Sequence, residues 1–158
     1  MIQNKINFDN EFSLNERLII QSIEHFCRPR VHPNFLNNLL KTRSNKSIRR
    51  IGCTDSSDGL FQALQDLAIA SNCKAIINYE KIPKDKDWPK GDKWDEYYFF
   101  GGEDYELVFS LPKNWAKNLS RLDKNINEIG YFTDGEPSIE FKDNKKNKLF
   151  SNTPYKHF

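Results

Sequence analysis

Two short stretches that combine carboxylates with glycine constrain the fold of this chain more than any other feature of its sequence. The first is Asp-Ser-Ser-Asp-Gly-Leu at residues 55–60, and the second is Gly-Gly-Glu-Asp-Tyr-Glu-Leu at residues 101–107. Each lies where a run with strand character is expected to meet a loop or a helix. Because glycine permits backbone angles and close approaches that other residues disfavour, each stretch is predicted to be a tight junction that carries acidic side chains.

The composition predicts one folded domain with a polar surface. The chain has 158 residues, which is long enough to bury a real core. Apolar residues make up 37% of it, and the 12 phenylalanines are expected to supply much of the core. The net charge is +2, with no concentrated run of basic residues, so the composition argues against a nucleic-acid partner.

The cysteines and the hydrophobic runs predict a cytoplasmic protein. Cys27, Cys53 and Cys73 are odd in number, widely spaced and without a zinc-binding pattern, so we expect buried free thiols in a reducing compartment. No apolar run approaches the roughly 20 residues that a membrane helix needs. The first residues lead into polar sequence rather than the apolar core of a signal peptide, so no membrane partner is expected.

Helical and strand patterns alternate along the chain. Residues 1–12 are expected to form a loose N-terminal segment, and a domain is predicted over residues 13–158. Helices are predicted from the capping box at 13–16 to about 27, from Pro33 along Phe35, Leu36, Leu39 and Leu40, and over 58–72 and 114–122. Strands are predicted at 51–54, 75–79, 105–111, 126–132 and 138–141, with an exposed excursion at 80–96. The pattern predicts an α+β fold, with helices covering one face of a mixed sheet.

The first acidic stretch has the residue types of a magnesium and phosphate site. Mg²⁺ prefers hard oxygen ligands and keeps several waters, so proteins that handle ATP place one or two carboxylates beside the phosphates. Asp55 at a strand end and Asp58 at a helix start could direct both carboxylates into one cleft. Ser57 adds a hydroxyl suited to phosphate oxygens, and the helix start adds amides. The alternative is structural: Ser57 or Asp58 caps the helix, and Asp55 is a turn residue.

The second acidic stretch could bind a polar group of a substrate. Gly101 and Gly102 let the backbone approach a ligand closely. Glu103 and Asp104 could then accept hydrogen bonds from an amine or a hydroxyl. The alternative is a β-turn or a bulge with exposed acids. Each stretch alone is a weak signal, and the pair is much more specific than either one.

Together the two stretches resemble the fingerprints of thiamine-monophosphate kinases. Residues 55–60 are similar to the D-x-S-D-G-L motif of that family, and residues 101–107 are similar to its strongest fingerprint, in the same order and at a fitting separation. The resemblance covers most of residues 15–158. It implies the C-terminal α+β domain of a protein related to aminoimidazole ribonucleotide synthase, without the N-terminal half that brings further Mg²⁺-binding acids and the dimer interface.

The resemblance also implies a reaction and a set of site residues. The reaction is transfer of the ATP γ-phosphoryl group to thiamine phosphate, with Mg²⁺ screening charge, to give thiamine diphosphate. By motif position, Asp55 and Asp58 match Mg²⁺ ligands, Ser57 matches a nucleotide contact, and Glu103 and Phe158 match substrate contacts. For Phe158 the alternative is a C-terminal side chain tucked into the core.

Two functions follow from the resemblance. In the first, the chain is the C-terminal portion of such a kinase, inactive without the N-terminal half, and its expected protein partner is a missing N-terminal domain or a second copy in a homodimer. In the second, it is a non-catalytic module that binds a nucleotide or thiamine phosphate. Ser56 departs from the family pattern, which has an aliphatic residue there; the departure is tolerable if the side chain faces the packing of strand and helix loosely.

Overall fold

Helices and strands are interspersed along the computed structural model, which describes residues 15–28, 33–43, 51–143 and 146–147. The elements are α1 (Glu16–Cys27), α2 (Phe35–Thr42), β1 (Gly52–Asp55), α3 (Leu60–Ser71), β2 (Lys74–Ile77), a 3₁₀ turn (Tyr79–Lys81), α4 (Asp92–Phe100), β3 (Leu107–Ser110), α5 (Lys113–Leu122), β4 (Gly130–Thr133) and β5 (Ser138–Phe141). The predicted α+β class is confirmed. The predicted loose segment at 1–12 lies outside the described residues.

Within the described residues, five strands form two sheets. β1 pairs antiparallel with β3, and β2 is the centre of a three-stranded sheet in the order β4-β2-β5. The three-stranded sheet is mixed, as predicted, because β2 runs antiparallel to β4 and parallel to β5. The sequence predicts strands on either side of the turn at 134–135. They are present, but they flank β2 rather than pair with each other.

Helix α3 joins the two sheets into one core. It contacts β1 and β3 of the first sheet and β2 and β5 of the second. Ala63, Leu64, Leu67 and Ala68 share one face of the helix and are all buried. The helix ends at Ser71, and the left-handed backbone of its C-cap, Asn72 (φ 48°), lets the N–H of Cys73 reach the carbonyl of Ala68 at 3.0 Å. Both sheets are therefore positioned by a single helical face.

Residues 92–100 form helix α4, where the sequence predicts the end of an exposed excursion followed by an aromatic run. The buried residue of this helix is Phe99, which has no exposed surface. Its ring lies 5.0 Å from that of Phe141 and 5.6 Å from that of Phe61, measured between centroids. Aromatic residues are mediocre helix formers, so burial of this ring overrides the local preference.

Two charges between residues 80 and 96, Lys84 and Asp95, are tied to the core. Asp95 on α4 accepts hydrogen bonds from Lys84 Nζ (2.9 Å) and from Lys146. Both ammonium groups also lie over the ring of Tyr79, at 3.9 and 4.7 Å from its centroid. Burial would raise the pKa of Asp95, but hydrogen bonds from Lys146, Tyr79 and Lys84 together lower it. The prediction of an exposed excursion therefore holds for much of 80–96, including 90–93, but is wrong for Ile82, which is buried, and for Lys84 and Asp95, which are paired.

Helix α1 ends at Cys27, as predicted, and begins at Glu16. Its N-cap is Asn15, whose side chain accepts a hydrogen bond from the backbone N–H of Arg17 at 2.9 Å. Ser13, the predicted cap, lies outside the described residues. The Arg17 guanidinium donates to Asp85 (2.6 Å) and Asp87 (Nε to Oδ2, 3.0 Å). This charged clamp attaches α1 to the segment that leads into α4.

Helix α2 buries only half of its predicted apolar face. Leu39 is buried, and its carbonyl accepts a hydrogen bond of 2.9 Å from the indole N–H of Trp115 on α5. Phe35 packs on a phenylalanine of β3. Leu36 and Leu40, however, are 62% and 57% exposed. The four apolar residues of α2 have helical spacing, but the apolar face that they form is wider than the surface of α5 and β3 that packs against it.

The three cysteines are free thiols, as predicted, but two of them are not buried. Cys27 and Cys53 are exposed, and Cys73 is half-buried. None of the helices in the described part of the chain is long and apolar enough to span a bilayer.

Replacing Phe99 by alanine should destabilise the domain by about 3–5 kcal/mol, because it leaves a cavity among packed rings. The control is Tyr97→Ala on the same helix, where a side chain that is 54% exposed is removed. That change should cost less than about 1 kcal/mol. Urea unfolding followed by circular dichroism measures both. Equal losses for the two variants would contradict the assignment of Phe99 to the centre of the core.

The lowered pKa of Asp95 makes its stabilising effect dependent on pH. A carboxyl group whose pKa is lowered by folding stabilises the native state above its ordinary pKa, and this contribution is lost as pH falls through the folded value. Asp95→Asn should therefore cost about 1–3 kcal/mol near neutral pH, since it leaves two lysines without their partner. The difference from wild type should shrink below about pH 4. Asp92→Asn, an exposed change on the same helix, is the control, and a pH-independent effect of Asp95→Asn would contradict the account.

Candidate functional site

The two acidic stretches lie side by side because β1 and β3 pair. Asp55, the last residue of β1, is opposite Leu107, the first residue of β3. The pairing continues beyond the strands, where the N–H of Ser56 donates to the carbonyl of Glu106 at 2.9 Å. The N–H of Glu103 then donates to the carbonyl of Ser57 at 2.8 Å. Residues almost fifty positions apart are thus held together by main-chain hydrogen bonds.

The hydroxyl of Ser56 fastens this junction. Ser56 is only 3% exposed, and its Oγ accepts a hydrogen bond of 3.1 Å from the N–H of Glu106. Ser56 is therefore not loosely packed, and its hydrogen bond is what accommodates a serine at this position. An aliphatic side chain at this position could not accept that hydrogen bond, and a buried N–H without an acceptor is costly.

Two glycines permit the close approach of the stretches. A Cβ on Gly102 would overlap the carbonyl oxygen of Ser57. Gly59 has φ of +95°, and a Cβ there would lie 2.8 Å from the carbonyl oxygen of Phe100. Any other residue at either place would force the backbones apart. Close packing or an unusual backbone angle is what the sequence predicts at Gly59, and the structure shows both there. The approach of Gly101 and Gly102 to a ligand stays a prediction.

Asp55, Ser57 and Asp58 lie in the connection between β1 and α3. Oδ1 of Asp55 accepts a hydrogen bond of 2.8 Å from the Ser57 hydroxyl. Ser57 and Asp58 form a turn, and α3 begins at Leu60 with Gly59 as its N-cap. The prediction that Asp58 opens the helix is therefore wrong by two residues. The structural alternative assigns the N-cap to Ser57 or Asp58. The N-cap is instead Gly59, and no side chain forms a capping hydrogen bond there.

The loop that carries Glu103 is strained. Glu103 and Tyr105 both have left-handed backbones, with φ of 68° and 53°. Such conformations cost of the order of 1 kcal/mol each for residues other than glycine and are concentrated at functional sites. The Tyr105 hydroxyl donates to a carboxylate oxygen of Glu103, and this bond, with burial and the charges of Glu103 and Asp55, raises the pKa of Tyr105. The phenol therefore lies near both acidic stretches.

Helix α1 supplies a contact that the sequence does not single out. His25 Nε2 lies 2.8 Å from the carbonyl oxygen of Asp104 and 3.8 Å from Oε1 of Glu106. Burial raises the pKa of Asp104, with the nearby Glu106 adding to the shift and His25 opposing it. The only sequence signal for this contact is the spacing of Arg17, Gln21 and His25, which places three polar residues on one helix face.

A cleft of about 370 Å³ separates α1 from the loop. Its walls combine apolar and acidic groups, which include Leu18, Phe26, Asp85, Glu103 and Asp104. Such a cleft could take a ligand with an apolar ring and a polar or cationic group.

The structure brings together four of the five predicted site residues. Asp55, Ser57, Asp58 and Glu103 lie on the two joined stretches, whereas Phe158 is outside the described residues. Within the described residues no group of three or more acidic, histidine or cysteine side chains could hold a metal ion. Asp55 and Asp58 could instead contribute to a Mg²⁺ shell that phosphate oxygens and water complete.

Comparisons with known proteins place the chain in a family. The family described as AIR synthase related protein, C-terminal domain, matches residues 41–142. A thiamine-monophosphate kinase of Prochlorococcus marinus is 36% identical over 123 residues, which is 78% of this chain and 37% of the relative. One from Buchnera aphidicola is 30% identical over 156 residues, covering 93% of this chain and 48% of the relative.

Solved structures agree with the sequence relatives. The structure of AaThiL complexed with AMPPCP and TMP has a TM-score of 0.63 and 27% identity to this chain, and covers 94% of this chain and 44% of that one. A thiamine monophosphate kinase of Aquifex aeolicus has a TM-score of 0.59 and 26% identity over 84% of this chain and 42% of that one. The chain thus spans about a third to a half of the length of these relatives. It belongs to the AIR synthase related protein C-terminal domain family and is similar to thiamine-monophosphate kinases over most of its residues.

Proposed function

We propose that this chain forms one wall of the active site of a thiamine-monophosphate kinase, which transfers a phosphoryl group from ATP to thiamine phosphate. The observation that carries the proposal is the main-chain bond between Glu103 and Ser57, which joins the two acidic stretches into one surface. The named relatives and the AMPPCP and TMP bound to the AaThiL structure support it. Such a protein would act in the cytoplasm.

Phosphoryl transfer is catalysed mainly by positioning and by electrostatic stabilisation. Mg²⁺, when bound, would neutralise charge on the phosphates, and Asp55 and Asp58 are the carboxylates that would hold it. The main chain of the turn at Ser57 and Asp58 fixes where these carboxylates lie, since it is bonded to the Glu103 loop. Ser57 would contact the nucleotide.

Glu103 would recognise the acceptor. A carboxylate can accept hydrogen bonds from the amino group of the thiamine pyrimidine, and we assign Glu103 to that role. The bond from Tyr105 and the strained backbone hold the Glu103 side chain in one place. Phe158 is proposed to stack on a ring of the substrate.

The chain alone should not turn over. It spans less than half of the length of the relatives, so the phosphate and metal contacts on the remaining part are needed to complete the site. The missing contacts would come from a domain of the kind that forms the rest of those kinases, or from an assembly that includes it.

The test is a kinase assay of the chain combined with the unmatched N-terminal portion of the Prochlorococcus marinus kinase. Asp55→Asn should lower kcat about a hundredfold or more, because a charge that acts on the phosphates is lost. Glu103→Gln should mainly raise KM for thiamine phosphate, by about tenfold. Glu128→Gln, an exposed carboxylate elsewhere, is the matched control and should change neither.

Three results would contradict the proposal. Robust turnover by the isolated chain would refute the statement that this chain holds only part of the active site. Unchanged kinetics in Asp55→Asn would remove this carboxylate from the site. No turnover by the combined proteins, with saturable thiamine phosphate binding that Glu103→Gln abolishes, would instead establish a binding module.

A further inference from the structure

The loop at residues 103–106 is bonded to the first acidic stretch at its two ends. The N–H groups of its first and last residues donate to the two serines of that stretch, at 2.8 and 3.1 Å. Asp104 and Tyr105 lie between these bonds. Within the part of the chain that the structure describes, only His25 forms a hydrogen bond to the main chain of either residue. The middle of the loop is therefore held from helix α1.

The bond from His25 is made to a peptide group and not to an acidic side chain. Its Nε2 lies 2.8 Å from the carbonyl oxygen of Asp104. Because a carbonyl oxygen only accepts, Nε2 carries a proton and donates, whether the ring is neutral or charged. The same nitrogen is 3.8 Å from Oε1 of Glu106, which is too far for a hydrogen bond.

The peptide group that His25 holds determines the backbone of Tyr105. The carbonyl of Asp104 belongs to the planar peptide that joins it to Tyr105, so its direction sets ψ of Asp104 and φ of Tyr105 together. Turning this peptide over changes the two angles by roughly 150–170°, as between type I and type II turns. Tyr105 would then leave its left-handed φ of 53°, which is strained for a residue other than glycine. Strain thus favours the turned peptide, and the bond from His25 opposes it.

The backbone of Tyr105 in turn determines where its phenol lies. The Tyr105 hydroxyl donates to a carboxylate oxygen of Glu103. A hydrogen bond tolerates little change in distance or angle, so a different backbone angle at Tyr105 would break this one. A short path therefore leads from His25, through one peptide group and one phenol, to the Glu103 carboxylate.

We propose that His25 is a positioning residue for the Glu103 carboxylate. Its hydrogen bond fixes the peptide after Asp104, that peptide keeps Tyr105 left-handed, and the Tyr105 hydroxyl holds the carboxylate in place. The inference rests on the proposed function, in which Glu103 recognises the amino group of thiamine phosphate. His25 acts on recognition of the acceptor through Glu103 and needs no contact of its own with the substrate.

The first experiment uses the full chain without substrate. The backbone of Tyr105 is followed by the nuclear Overhauser effect between its own amide and α protons, which is strong in a left-handed residue. In His25→Leu this signal should weaken by about twofold or more, because the turned peptide becomes populated. His25→Gln keeps an N–H donor and should keep the signal of wild type. The His25 side chain is 36% exposed, so neither substitution empties the core.

Arg17→Leu is the matched control in this experiment. It removes the ion pairs with Asp85 and Asp87 that attach the other end of α1, and it leaves the bond to the Asp104 carbonyl in place. The Tyr105 signal should remain that of wild type. An Arg17→Leu variant that weakens the signal as much as His25→Leu would reduce His25 to a point of helix attachment.

The second experiment measures the reaction of the combined proteins that test the proposed function. His25→Leu should raise KM for thiamine phosphate about fivefold and change kcat by less than about twofold, because recognition of the acceptor is weakened and the phosphate contacts are kept. His25→Gln should restore KM to within about twofold of wild type, since its amide N–H replaces the donor.

A double-mutant cycle separates positioning from direct contact with the substrate. Tyr105→Phe removes the hydroxyl that holds Glu103 and should itself raise KM. If His25 acts through this hydroxyl, adding His25→Leu to Tyr105→Phe should raise KM by less than about a further twofold. A His25 that binds the substrate directly would instead give two effects that multiply.

Three results would overturn the role of His25. They are an unchanged Tyr105 signal in His25→Leu, a KM that His25→Gln fails to restore, and effects of His25→Leu and Tyr105→Phe that multiply. The kinase proposal fails separately. Combined proteins without turnover would refute the kinase, whereas a weakened Tyr105 signal in His25→Leu that His25→Gln restores would still show that His25 fixes the loop.

Discussion

The close approach of two backbone segments is the constraint on which the candidate site depends. Residues 56–59 and 100–106 pack so closely that carbonyl oxygens of one segment occupy the space that a side chain on the other would need. Glycine at positions 59 and 102 makes this possible. The hydroxyl of Ser56 satisfies the amide of Glu106 inside the junction. Because the carboxylates are attached to these segments, their relative positions are set by main-chain hydrogen bonds rather than by flexible side chains.

The rest of the domain holds this junction in place. α3 packs on both sheets and fixes the end of β1, and the ring of Phe99 anchors α4, whose last turn leads into Gly101. α1 crosses beside the loop and is attached by Arg17 at one end and His25 at the other. Glu103 and Tyr105 keep their left-handed backbones because these surrounding contacts stabilise the domain by more than the strained loop destabilises it.

The sequence predicts the elements near the site better than it predicts what surrounds them. β1 and the helix after it follow from ordinary strand and helix patterns, and the glycines identify the close approach. The sequence does not reveal that Ser56 is buried, because its partner is a backbone amide fifty residues away. It also does not predict α4, since a run of aromatic residues favours strand locally and is helical here because Phe99 is enclosed by other rings. The apolar positions that helical spacing aligns on α1 are divided in the structure, since Leu18 is buried whereas Ile23 and Phe26 are exposed.

The account depends most on the two acidic stretches being one site. The direct measurement is an NMR titration of the isolated chain with AMPPCP and Mg²⁺, following the amides of Ser57 and Glu103. The account predicts that both amides shift with a common dissociation constant, and that Gly102→Ala abolishes the shared response by separating the two backbones. Shifts confined to the Ser57 stretch, or two independent dissociation constants, would contradict it.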